Sequence, residues 1–493
     1  MTSEEPAAGH SPGAATEAPS HKRIAILIVA YNAASTLKNV LDRIPAEVWE
    51  KVEEVIVFDN SSKDNTYLVG LGYKALHGKV NLSVFRNESN VGYGGNQIRG
   101  YRYVIEQGYD IVALLHSDGQ YAPELLPELL APLERGEADA VFGSRMLTPG
   151  GALKGGMPLY KFAGNKVLTA FENAMLGMSL SEFHSGYRLY SVEALKKIPF
   201  DKNTNEYHFD TQIIIQLHAA GMRIVEIPIP TYYGDEISYV NGFRYARDIA
   251  LSVAQYELHE LGLMHRPEFE IEAPLTLKKS PLSSHAQLME MVGPPPRRIL
   301  HIGCSRAELG LSLKQRGHFV FGVDEQEPDY QLDEFIRASW EDDLDIDVGE
   351  QFDVVLLAES LERAADPLRL LRSAATHLAP HGKLLASMAN VVHWSVRLQL
   401  LLGRFDYTNK GILDRRHKRF FTRASALRLF DQAGLEVIEE RKTPIPWEKV
   451  IPPALGSFIR DKVEKADYLA AHLRPSAFAY QYVFELQPGA PID

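Results

Sequence analysis

The stretch Ile24-Ala25-Ile26-Leu27-Ile28-Val29-Ala30-Tyr31-Asn32 decides the fold. Its apolar run is unbroken and stops at a polar pair. A run of strand length without alternation predicts a strand buried on both faces, as in a parallel sheet covered by helices. Similar runs follow at Glu54–Phe58, Val80–Phe85, Ile111–His116 and Ala138–Phe142. Between them lie stretches with helical spacing, such as Ala34–Ile44 and Gly94–Gln107. Strands alternating with helices predict an α/β domain with a parallel sheet. Thr148–Gly156, rich in glycine and followed by Pro158, reads as a loop, and Arg223–Pro228 as a late strand.

The pattern breaks near residue 265, where Pro, Glu and Lys mix without period. After Pro294-Pro295-Pro296 a second alternation begins, with strands at Arg298–Ile302, Val320–Val323, Asp353–Leu357 and Lys383–Met388. The expected organisation is a disordered tail (1–21), an α/β domain (22–264), a linker (265–281) and a second α/β domain (282–488). The whole chain has 493 residues, and about 150 residues per domain allows two to four domains. Hydrophobic residues make up 45% and charged residues 24%, which excludes a disordered or collagen-like chain. A net charge of −12 argues against bulk nucleic-acid binding. The single cysteine, Cys304, excludes an intrachain disulfide and fits a reducing compartment. No run of about 18 apolar residues predicts a transmembrane helix, and the Ala/Pro/Ser-rich start is unlike a signal peptide.

Ligands of open α/β sheets bind beyond the carboxyl ends of the strands. There the first domain carries Tyr31, then Asp59-Asn60-Ser61-Ser62, then Asn90-Val91-Gly92-Tyr93-Gly94-Gly95-Asn96, then His116-Ser117-Asp118-Gly119-Gln120. Asp59 can accept hydrogen bonds from a ribose or a base, or serve its own turn. The glycines allow close backbone approach to a ligand, or simply build a strand–helix turn. Asp118 leaves a buried strand into a turn, where a carboxylate suits Mg²⁺ or Mn²⁺, with His116 or Gln120 as a further ligand.

These motifs, with Gly143-Ser144-Arg145, Ser185-Gly186-Tyr187-Arg188 and His208-Phe209-Asp210, resemble family 2 glycosyltransferases of the polyprenyl-phosphate mannose synthase type over Lys22 to Met264. The resemblance implies a GT-A nucleotide-sugar-binding fold, a nucleoside diphosphate sugar donor, a divalent cation and inversion at the anomeric carbon. It implies that Tyr31, Asp59, Asn90 and Gly92 hold the donor, and that Asp118, with Gln120 and His116 beside it, forms the metal motif. Arg145 and Arg188 would meet phosphates, where a planar fork suits bidentate binding. Asp210 would be a general base for a hydroxyl acceptor or a positioning group for a lipid phosphate, against a plain helix N-cap. His116 stands where the family motif usually has its first aspartate, and Ala33-Ala34 where a glutamate is common. Lys154, Lys161 and Lys166 lie in the region that faces the acceptor in the resembled enzymes. The stretch Thr231–Gly242, with Tyr232, Tyr233, Asp235, Glu236 and Tyr239, is expected to close over the sugar.

In the second domain, Ile302-Gly303-Cys304-Ser305 sits at a strand–helix turn and Asp324 follows Gly303 by 21 residues. A carboxylate about 20 residues after such a turn suits a ribose. With Asp353-Val354-Val355, Leu361-Glu362-Arg363 and Gly403–Thr422, this resembles class I methyltransferases, with a Rossmann-like fold and S-adenosylmethionine held by Gly303, Ser305 and Asp324. An acid is usual at His301, glycines at Ser305 and Ala307, and a histidine at Arg363. His393 and His417 are candidate bases. Two readings stand: a bifunctional glycosyltransferase and methyltransferase, or a glycosyltransferase whose C-terminal domain is a non-catalytic binding module. Either acts in cell-surface glycan synthesis on a lipid-phosphate or glycan acceptor, in the cytoplasm at the inner membrane face, reached by peripheral contact, with no nucleic-acid partner.

Overall fold

The computed structural model describes residues 22–78, 81–232, 241–260, 264–271, 277, 280–305, 308–340, 349–447, 451 and 457–489. The expected tail and the stretch Tyr233–Tyr239 lie outside them, as do Arg306 and Ala307.

The first sheet has seven strands: β1 (Ile24–Ala30), β2 (Glu54–Asp59), β3 (Leu82–Arg86), β4 (Ile111–His116), β5 (Ala140–Ser144), β6 (Arg188–Ser191) and β7 (Ile224–Pro228). Their order is β3-β2-β1-β4-β6-β5-β7. All seven residues of β1 are buried, as its unbroken apolar run requires. Alternate residues enter different cores: Ala25, Leu27 and Val29 face one, Ile24, Ile26, Ile28 and Ala30 the other. The sheet is not wholly parallel, because β6 runs antiparallel to both β4 and β5. This strand is only four residues long, carries Arg188 and Ser191, and has no apolar run to announce it. The expected loop at Thr148–Gly156 contains one helical turn, Gly151–Lys154.

The second sheet comprises β8 (Arg298–Ile302), β9 (Phe319–Asp324), β10 (Glu334–Arg337), β11 (Phe352–Ala358), β12 (Leu378–Ala389), β13 (Leu435–Thr443) and β14 (Gln481–Pro488). Their order is β10-β9-β8-β11-β12-β14-β13. The strands from β10 to β12 pair in parallel, and β14 is antiparallel to β12 and β13. The edge strand β13 reads Leu-Glu-Val-Ile-Glu-Glu-Arg-Lys-Thr, charged enough to hide it from a hydrophobicity reading and to discourage further edge pairing.

In the stretch expected as linker, Phe269 joins the first domain's core beside Ile249 and Val253.

Candidate active site

The carboxyl ends of β1 and β2 are stitched together by the polar residues between them. The Asn32 amide donates to Ser62 Oγ at 2.8 Å, the Ala33 amide to Thr66 Oγ1 at 2.7 Å, and the Lys63 amide to Asn32 Oδ1 at 2.9 Å. Asp59 lies beneath this weave with its side chain fully buried. It accepts from the Ser62 amide and hydroxyl and lies 3.4 Å from Arg86 Nε. Its carboxylate thus serves its own turn, whereas Tyr31 beside it is half-buried.

Asn90 is likewise used internally. Its Oδ1 accepts from Asn60 Nδ2 and from the Gly92 amide, both at 2.9 Å. Asn60 also accepts from Asn87, and Asn87 donates to Asn96, so asparagine amides join the ends of β2 and β3 to the helix Tyr93–Glu106. The glycines of this loop make room for the chain itself. A Cβ on Gly92 would lie 2.4 Å from the Asn205 carbonyl oxygen, and one on Gly94 2.3 Å from that of Thr204. The segment Thr204–Asn205 occupies the space that the small size of Gly92 and Gly94 leaves.

Behind the loop lies a buried polar cluster. Tyr93 donates to Asp210 Oδ2 at 3.0 Å, and its hydroxyl is 3.4 Å from His116 Nε2. Gln97 Nε2 reaches Asp210 Oδ1 at 3.5 Å, and Arg188 Nη1 lies 3.6 Å from the same oxygen. Burial, then the Asp210 charge, pushes the Tyr93 hydroxyl well above its ordinary range. Burial lowers the His116 pKa against the pull of Asp118 and Asp210, so the ring is neutral near pH 7. Asp210 is inside the first turn of the helix Phe209–Ala219, whose N-cap is His208. The N-cap reading of Asp210 is therefore excluded.

Arg188 does not face phosphate: it is 1% exposed, and its Nε, Nη1 and Nη2 donate to the carbonyls of Ser185, Asp210 and Phe183. Arg145 is buried against Glu182, which also accepts from Asn165. Burial alone would raise the Glu182 carboxyl, but the Arg145 charge and hydrogen bonds hold it below its usual range. A buried guanidinium demands such compensation, and removing either partner of such a pair typically costs about 3–5 kcal/mol. His116 is held between aromatic neighbours. Its ring packs edge-on against Tyr121, and a Cβ on Gly186 would lie 2.6 Å from its Cε1.

Asp118 stands apart from this cluster, exposed in the turn after β4, with Oδ1 accepting from the Gln120 amide at 3.0 Å. Among the described residues no three His, Cys, Asp or Glu side chains gather as a metal cage. The arrangement fits a cation that brings phosphate and water ligands of its own, as Mg²⁺ and Mn²⁺ do.

Sequence reasoning missed the partners. Tyr93, Gln97 and Tyr121 read as ordinary helix or turn residues. Glu182, Glu172 and His184 carried a signal: charged or polar groups in segments the fold must bury. His184 Nε2 lies 3.2 Å from Glu172 Oε2, and Thr211 donates to Glu172 at 3.1 Å.

Residues 25–199 match the family Glycosyl transferase family 2, and residues 280–440 match a methyltransferase domain. The undecaprenyl-phosphate mannosyltransferase of Micrococcus luteus is 32% identical over 211 residues, 42% of this chain and 82% of its own length. The chain belongs to glycosyl transferase family 2. It is a glycosyltransferase of the hexosyltransferase type, carrying a methyltransferase-like domain. The polyprenol monophosphomannose synthase of Mycolicibacterium smegmatis is 28% identical, over 46% of the transferase and 82% of the relative. A glucosyl-3-phosphoglycerate synthase from Mycobacterium tuberculosis, solved with uridine diphosphate, aligns at 20% identity and a TM-score of 0.38, covering 50% of this chain and 85% of that one.

In the second domain, Gly303 has φ +72°, and a Cβ there would lie 2.8 Å from Trp340 Cζ2 and 2.9 Å from Ser360 Oγ. Trp340 is 1% exposed, and the Arg363 guanidinium lies 4.9 Å from the centroid of its ring. Ser305 adopts φ +50° and its amide donates to Asp324 Oδ2 at 2.8 Å, while Asp324 Oδ1 accepts from the Glu325 amide at 2.8 Å. The fingerprint residues Gly303, Ser305 and Asp324 do come together, but around the chain's own groups. His301 is buried, and burial pushes its pKa down to about 4, so it cannot replace the usual acid. His393 caps the helix Trp394–Leu401, with Nδ1 accepting from the Ser395 amide at 3.3 Å, and burial lowers it to about 3. His417 is buried with Nδ1 3.2 Å from the Ile412 carbonyl. Neither is placed as a free base. Burial raises the Cys304 thiol to about 12, so it is an unreactive core residue.

Proposed function

We propose that the transferase moves a sugar, with inversion, from a nucleoside diphosphate sugar to a polyprenyl phosphate met at the cytoplasmic face of a membrane. The observation that carries this reading is Asp118, exposed in the turn at the carboxyl end of β4, two residues after His116 of a polar cluster in which Gln97, Arg188 and Asp210 are buried. Asp118, with Gln120 beside it, would hold Mg²⁺ or Mn²⁺, which supplies Lewis-acid stabilisation of the departing diphosphate. Tyr31, half-buried at the end of β1, would line the nucleoside side.

The acceptor side is the helix Leu159–Leu176 and the turn before it. Leu153, Leu159, Tyr160 and Val167 are exposed there, interleaved with Lys154, Lys161 and Lys166. An apolar surface studded with lysines suits an anionic, lipid-borne acceptor, since long cationic side chains keep their heads in water while their stems lie along apolar surface. No described helix is long and apolar enough to cross a membrane, so such an acceptor would be met by surface contact.

A phosphate acceptor also suits Asp210. A glycan hydroxyl needs a general base with a free oxygen. Here Tyr93 takes one Asp210 oxygen, and Gln97 and Arg188 crowd the other. An anionic phosphate oxygen needs no base, and Asp210 then fixes Tyr93 and Arg188 as the floor of the site.

Mass spectrometry after incubating the full chain with undecaprenyl phosphate, a panel of nucleotide sugars and Mg²⁺ or Mn²⁺ tests this. A glycosylated polyprenyl phosphate is expected from one donor. No turnover with any donor, together with no nucleotide-dependent thermal shift, would sink it.

A further inference from the structure

The second domain keeps the strand order and the strand–turn–helix of a nucleotide-binding sheet. Its cleft ought to open between the Gly303 turn, at the end of β8, and Ser360, just after β11. That space is filled. The indole of Trp340 reaches it from beyond the end of β10 and packs so closely on Gly303 that even a methyl group there would collide with Cζ2 and Cη2. Trp340 belongs to the same apolar cluster as Ile302, Leu357 and Leu361, which extends the core into the place where a ligand would lie.

The neighbours hold it there. Arg363 covers the indole, a cation–π contact, and its Nη1 donates to Ser305 Oγ at 3.4 Å. Ser305 in turn gives its amide to Asp324, the carboxylate on which a ribose would depend. Asp324 is 4% exposed and both its oxygens accept from backbone amides. A ribose diol would have to share Asp324 with those amides, and an adenosyl group would have to displace a buried tryptophan.

We propose that Trp340, held by Arg363, is a built-in plug of the cofactor cleft, and that the C-terminal domain binds neither S-adenosylmethionine nor S-adenosylhomocysteine. The domain is then a non-catalytic module that kept the methyltransferase sheet and closed its pocket. This does not rest on the transferase reading, because the two activities are assayed with different ligands.

Isothermal titration of the full chain with S-adenosylhomocysteine decides it. No saturable binding is expected up to about 1 mM ligand, a concentration corresponding to roughly 4 kcal/mol of affinity. The melting temperature is likewise expected to stay unchanged, since only a ligand that binds the folded state raises it. Saturable binding by the unaltered chain overturns the proposal. The paired variant Trp340→Ala with Arg363→His reads the cause: ligand-dependent stabilisation gained on removing the plug supports it. Binding by the unaltered chain that weakens in Trp340→Ala would make the indole a wall of a working site. The titration of the unaltered chain stands whether or not the variant folds.

Discussion

The hydroxyl of Tyr93 donates a 3.0 Å hydrogen bond to Oδ2 of Asp210, joining the first turn of one helix to the first turn of another. The contact fixes the carboxylate as structure around the site. Arg188, almost wholly buried, has Asp210 as its nearest counter-charge at 3.6 Å.

Asp210→Asn should therefore cost more in stability than in catalysis. With a polyprenyl phosphate acceptor, kcat is expected to fall less than about tenfold, whereas loss of a general base typically costs about 10²–10⁴-fold. Urea denaturation should show a loss of about 3–5 kcal/mol, the usual result of leaving a buried charge uncompensated.

Asp118→Asn should separate nucleotide binding from its metal dependence. Titration with nucleoside diphosphates in Mn²⁺ is expected to show affinity lowered by about tenfold or more, roughly the 1.4 kcal/mol of one modest charge contact. Affinity measured in chelator should not change. An unchanged Mn²⁺ response in the variant would remove Asp118 from the metal site.

Gly94→Ala should unfold the loop before it affects any ligand directly. The added Cβ meets the Thr204 carbonyl oxygen at 2.3 Å and Phe209 Cβ at 2.8 Å, and backbone cannot yield as a side-chain tip does. Overpacking of this kind costs about 1–3 kcal/mol. A lowered melting temperature is expected both with and without nucleotide.

Glu362 gives the second domain a pH dependence. Burial, reinforced by the neighbouring Glu359 charge, raises its carboxyl to about 8. The folded state thus favours the neutral acid. Its contribution to stability is complete below the ordinary carboxyl value near 4.5 and is lost as pH rises through about 8. Glu362→Gln should remove that loss. Urea midpoints at pH 5 and pH 8 are expected to differ by less in the variant, by up to a few kcal/mol in stability.

Sequence alone determined the two α/β domains, because an apolar run such as Ile24–Ala30 has only one comfortable place, between two helical layers. It also determined the family of the first domain, since turns at strand ends carry their residues in fixed order along the chain. Strands without an apolar run escaped it: β6 sits between neighbours in the middle of its sheet, and β10 and β13 are charged edges whose partners come from elsewhere in the chain. Only the tertiary structure decided what the motif residues do. Arg145 and Arg188 read as phosphate ligands, and Gly92 and Gly303 as room for a cofactor. The fold spends them on Glu182, on backbone carbonyls, on Thr204–Asn205 and on Trp340. The reason is physical: a side chain's partner is set by distance in space, and a buried charge or an empty space near a glycine is satisfied by whichever group the fold brings there first.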